Sequence, residues 1–104
     1  MQQMESLTNR FKDLGFSADI PRNREGEKHY FYLAFVKDLS VNTSLVVEGY
    51  RKKGYSTYRF SFYKSTYIEN GKKINEKVYL ENASPIQVLN KVTSFINYLE
   101  RSSK

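Results

Sequence analysis

Apolar residues follow two rhythms along this chain, one at each end and another between them. Near the N-terminus Met4, Leu7, Phe11 and Leu14 recur at spacings of three and four, which places them on one stripe of a helix. Gly15 follows and suits the left-handed position that closes a helix. Near the C-terminus Ile86, Leu89, Val92, Phe95, Ile96 and Leu99 form a longer stripe. Ser84 stands before it as N-cap, Pro85 fits the first helical position, and Gln87 completes a capping box. This spacing predicts a helix from about residue 84 to 101.

Between the helices the period drops to two. Phe16, Ala18 and Ile20 alternate with polar residues up to Pro21, as in a short strand or extended lead-in. Residues 22–28 are almost wholly polar and read as a loop. The Arg22-Asn23-Arg24 basic group is offset locally by Glu25 and Glu27. His29 to Val36 is apolar on both faces, which predicts a strand inside a sheet. Residues 37–43 read as a polar connection. Two hairpins follow, 45–52 with 55–68 around Lys53-Gly54, and 55–68 with 72–80 around Asn70-Gly71. With no repeats, linkers or low-complexity tracts, residues 1–104 read as a single domain. Its expected fold class is α+β, an antiparallel sheet of four to five strands with an N-terminal and a C-terminal helix packed on one face.

Any function carried by the sheet depends on register, because a one-residue slip exchanges its faces. A two-residue Lys53-Gly54 loop pairs Leu45 with Phe62, Val47 with Phe60, Glu48 with Arg59 and Tyr50 with Thr57. For the second hairpin, a two-residue loop would pair Tyr63 with Val78 and leave apolar groups on both faces. A three-residue Glu69-Asn70-Gly71 loop instead pairs Phe60 with Leu80, Phe62 with Val78, Lys64 with Glu76 and Thr66 with Ile74, and is the expected register. These pairings set an inner face of Leu45, Val47, Phe60 and Phe62. The outer face then carries Tyr50, Lys52, Tyr55, Arg59, Tyr63, Tyr67, Lys73, Lys77 and Tyr79, with Arg51 and Lys53 near a hairpin tip.

Composition narrows the chemistry. The 104 residues include seven Phe and nine Tyr, enough aromatic bulk for a core without staples. There is no cysteine, so disulfides and thiolate chemistry are excluded. His29 is the only histidine and cannot form a metal cluster or a triad by itself. Asp19, Glu25 and Glu27 lie in or beside a polar loop with no apolar setting. No phosphate-binding glycine loop, nucleophile elbow or zinc-protease motif occurs. The sequence therefore points to a non-enzymatic binder without cofactor or metal. No apolar run approaches the roughly 20 residues of a membrane span, and the N-terminus is not that of a signal peptide, so a cytoplasmic location is expected. The abundance of Lys, Asn, Tyr, Phe and Ile, residues with A/T-rich codons, suggests a low-GC bacterium or one of its mobile elements.

The net charge of +6 favours an anionic partner. Aromatics interleaved with cations on an open sheet suit single-stranded nucleic acid, since bases stack on rings while cations neutralise phosphates. The same pattern also fits a plain solvated strand face, because Tyr and Thr form strands well and Lys stems cover sheets. The stretch Tyr58-Arg59-Phe60-Ser61-Phe62, the Asn70-Gly71 turn and the Ser84-Pro85 helix start resemble the single-stranded-DNA-binding fold of transcriptional positive cofactor four. The resemblance lies in topology and residue type, and residues 1–20 have no counterpart in it. The alternative function is a protein-interaction module or inhibitor, of mobile-element or phage type. It would dock on an acidic or nucleic-acid-binding surface of a host protein. A homodimer through the tyrosine face is a third option, opposed by Lys73 and Lys77, since lysine is depleted at interface cores.

Overall fold

A computed structural model describes the backbone of residues 2–19, 30–52, 57–68 and 72–102, with side chains at 6–18, 33–51, 57–68, 72 and 75–102. Helix α1 (Gln2–Asp13) leads into a five-stranded antiparallel meander, β1 (Ser17–Asp19), β2 (Tyr30–Ser40), β3 (Thr43–Lys52), β4 (Arg59–Tyr67) and β5 (Lys73–Ala83). Helix α2 (Pro85–Ser102) closes the chain. The fold is the α+β arrangement expected from the sequence. The loops at 22–28, Lys53-Gly54, Tyr55 and Glu69-Asn70-Gly71, and His29, lie outside the described residues.

Local chemistry sets both helices. At the end of α1, Phe16 N–H donates to the Phe11 carbonyl (3.0 Å) and Gly15 N–H to that of Lys12 (2.9 Å). Gly15 holds a φ of 94°. This is the Schellman closure, and its usual apolar contact is present as an edge-on pair of Phe11 and Phe16, 5.7 Å apart. Lys37 reaches across from β2 to donate to the Leu14 carbonyl at 3.1 Å, a cation at the negative end of the helix. At the start of α2, Gln87 N–H donates to Ser84 Oγ (3.2 Å) and Ser84 N–H donates to Gln87 Oε1 (2.9 Å), the expected capping box. Ser84→Ala should lower stability by about 1 kcal/mol, seen as a reduced urea midpoint at unchanged slope.

One face of the sheet is covered by both helices, α1 toward β1 and α2 across β4 and β5. The core joins Leu7, Phe11 and Phe16 to Leu33, Phe35, Leu45, Val47, Phe60 and Phe62, with Val88, Val92 and Ile96 from α2. Leu89, Phe95 and Leu99 flank that stripe, whereas Ile86 is exposed. The sequence stripe included Ile86 and missed Val88; three-and-four spacing fits either until the sheet fixes the helix's rotation.

Three sequence expectations about strands are corrected. Residues 37–40 continue β2, and a tight Val41-Asn42 turn joins it to β3. Lys37 and Asp38 look like loop residues, but one caps α1 and the other accepts a hydrogen bond from Ser44 Oγ at 2.6 Å. Secondly, β3 and β4 pair two residues out of the expected register: Val47 faces Phe62, Gly49 faces Phe60, Tyr50 faces Arg59 and Leu45 faces Lys64. The faces survive because the slip is even. Phe60 gains the space that Gly49 leaves, so ring and glycine complement each other across the ladder.

Thirdly, β4 and β5 begin in the expected register, with Tyr67 opposite Lys73 and Ile68 N–H bonded to the Lys72 carbonyl (2.9 Å). Register shifts then intervene. Tyr63 pairs with Val78, Lys64 with Lys77, Ser65 with Glu76 and Thr66 with Asn75, whereas Phe62 pairs with Leu80 and Phe60 with Ala83. Each bulge adds a residue to β5 and re-aims the side chains beyond it. Asn82, at φ 52°, occupies the last of them.

Candidate interaction face

These registers redistribute the residues singled out for the outer face. Tyr50, Arg59, Tyr63 and Tyr67 stay on it. In the ladders Lys52 pairs with Tyr30 and Lys73 with Tyr67, at opposite ends of the sheet. Tyr55 lies outside the described residues. Lys77 and Tyr79 do not face outward. The bulge turns Tyr79 under the helices, where its ring lies 5.2 Å from Phe62 and 4.8 Å from Phe95. Lys77 shares that side, with its ammonium 5.7 Å from the Tyr79 ring centroid. Arg51 is on the helix side too, 5.5 Å from the Tyr58 ring.

Arg59 is outward but engaged. Its Nε donates to Asn82 Oδ1 at 3.0 Å, and its guanidinium also donates to the Asn82 carbonyl. The side chain thereby ties down the left-handed bulge, which uses donors that a phosphate would need.

What lies between these residues was not evident from the sequence. Val36, Val46, Tyr63 and Val78 are successive cross-strand partners, so an apolar band crosses four strands at right angles to them. Val46 is 7% exposed and Val78 44% exposed, so the band runs from a sheltered centre to an open edge. Beside it runs a polar row, Asp38, Ser44, Ser65 and Glu76, again cross-strand partners. Ser44 and Ser65 are buried, and Ser65 Oγ has no hydrogen-bond partner among the described residues. On the band's other side Glu48 stands between Ala34 and Ser61. The middle of the face thus presents valines and a tyrosine between carboxylates, not tyrosines among cations.

The described residues contain no group of three or more His, Asp or Glu side chains that could hold a metal ion. Among them no helix is long and apolar enough to cross a membrane.

Fold and face together define a two-layer α+β protein in which neither helix covers the sheet face that carries the apolar band. The chain is 43% identical over 101 residues to the uncharacterized protein YddA of Bacillus subtilis (strain 168), an alignment covering 97% of this chain and 89% of that one. It belongs to the YddA family. No family model matches the chain, and no solved structure matches it.

Proposed function

We propose that this protein is a non-enzymatic protein-interaction module that docks through the open face of its sheet. The observation that carries the reading is the apolar band Val36–Val46–Tyr63–Val78, bounded by the carboxylates of Asp38, Glu48 and Glu76. Apolar area at the centre with charge at the rim is the anatomy of a protein interface. Tyrosine at its middle is a typical anchor. The rim charge selects a partner whose own apolar ridge is flanked by Lys or Arg. The nucleic-acid-binding surface of a host protein has that character.

The test uses Val78→Lys, an exposed change that should leave the melting temperature nearly unmoved. Tagged wild type should retain a partner from nuclease-treated B. subtilis lysate. Val78→Lys and Tyr63→Ser should each lower its recovery about tenfold or more, as loss of an interface anchor does. Equal recovery by both variants overturns the reading. So does loss of every partner on nuclease treatment. If the retained partner is a second copy of this chain, light scattering will show a dimer that Val78→Lys dissociates, and the face is then a self-interface instead.

A further inference from the structure

Among the described residues, the middle of the sheet differs in charge between its two sides. Carboxylates occupy the middle of the open face, while the helix side carries a row of cations. The row follows from the ladders: Lys37 pairs with Leu45, Leu45 with Lys64, and Lys64 with Lys77. Lys37 is engaged by the end of α1 through the Leu14 carbonyl. Leu45 is fully buried, so the core ends at this row. Lys64 and Lys77 stand directly opposite each other on neighbouring strands, with Lys77 exposed and its ammonium over the Tyr79 ring at 5.7 Å. Like charges so placed destabilise a sheet. One step further out Thr66 faces Asn75, and Thr43 faces Thr66, so these ladder positions add hydroxyl and amide groups.

We propose that this end of the helix side, at Lys64 and Lys77, binds the phosphodiester backbone of single-stranded nucleic acid. Two lysines at directly opposed ladder positions, with a hydroxyl and an amide residue one step beyond, supply what a phosphate requires, and an anion between them relieves their mutual repulsion. The site is one ladder step wide. A duplex-binding interface buries on the order of 1,000 Å² or more of protein, whereas a flexible strand can follow a narrow cationic edge. The site lies on the face opposite the proposed docking surface and stands independently of it. Both sites together would let the molecule hold a protein and a nucleic acid at once.

Anisotropy titrations of a labelled single-stranded oligonucleotide test it, run at low salt and again at higher salt. Lys64→Glu and Lys77→Glu should each weaken binding about fivefold or more. Each should also reduce the log–log salt slope by about 0.7, the value for one single-strand phosphate contact. Lys91→Glu on α2 makes the same charge change on an exposed helical side chain and should have a much smaller effect. Lys64→Glu also places opposite charges across the ladder, so its melting temperature should rise while its binding falls; a merely structural lysine would not separate the two. Equal losses for Lys64→Glu and Lys91→Glu would reduce the effect to net charge and overturn the site. Absence of wild-type binding at low salt would do the same. Stronger binding of a duplex than of the single strand overturns the choice of ligand. Val78→Lys should bind the oligonucleotide at least as well as wild type, which separates this result from the docking test.

Discussion

Phe62→Ala should remove about 3–5 kcal/mol of folding stability, the usual result of truncating a fully buried aromatic. Phe62 is completely buried and is the point where the two layers meet. Its ring packs edge-on against Phe95 of α2 at 5.5 Å and at a tilt against Tyr79 of β5 at 5.2 Å. Tyr79 and Phe95 touch each other at 4.8 Å, closing a three-ring cluster. Truncation leaves a cavity that none of the three elements can fill by moving alone. Domains of this size have roughly 5–15 kcal/mol in total, so the variant should be folded only marginally at ordinary temperature. At about 4–8 °C per kcal/mol, the expected fall in melting temperature is roughly 12–40 °C. Urea titration separates the outcomes: a lower midpoint at constant slope is the cavity effect, whereas a reduced slope would report a loosened native state. Phe62→Leu keeps most of the volume and should lose much less.

Gly49→Val should be the most damaging substitution outside the aromatic core, and by the opposite mechanism. Gly49 is buried opposite Phe60, and a Cβ there would run into the Phe60 ring, with Cδ1 only 2.8 Å away. Leu33 Cδ1 closes the other side at 3.1 Å. Phe60 is fully buried. Overpacking of this kind costs roughly 1–3 kcal/mol for added methylenes and more where the neighbours are rigid. Gly49→Ala should lose less than Gly49→Val. Combining Gly49→Ala with Phe60→Leu should recover part of the loss, a non-additivity that thermal unfolding of the single and double variants measures. If Gly49→Val melts like wild type, the Phe60–Gly49 pairing is not the determinant of the β3–β4 register.

The same two positions show why the site was only partly legible. Gly49 stood in the sequence as an unremarked residue of a strand. Its lack of a side chain nevertheless identifies Phe60 as its partner, and that pairing alone gives the correct β3–β4 register. Faces were read correctly there because the error was an even number of residues. In β5 an odd shift moved Lys77 and Tyr79 to the helix side and brought Val78 outward. That shift arises between the Tyr67–Lys73 and Thr66–Asn75 pairs, where no turn residue marks it; Asn82, a residue type that tolerates the left-handed conformation, signals only the last bulge, just before the Ser84-Pro85 helix start. Val36, Val46, Val78, Asp38 and Glu76 were missed because a band across strands has no signature along any one of them.

The sequence by itself determined what local interactions determine. It specified two helices, the end of α1 and the start of α2, since a cap and a left-handed glycine act within a few residues. It also set the class of fold and the inner face of β3 and β4, since strict alternation survives any even slip. Tertiary structure decided the rest. Where β5 bulges depends on Tyr79 reaching Phe95 beneath α2, and on Arg59 holding Asn82 in place. Those contacts link residues more than 15 positions apart in the chain. The result is an open face with an acidic, apolar middle and a cationic row on the other side. That division of charge follows from packing, because net charge is a property of composition, whereas the face each charge occupies depends on register.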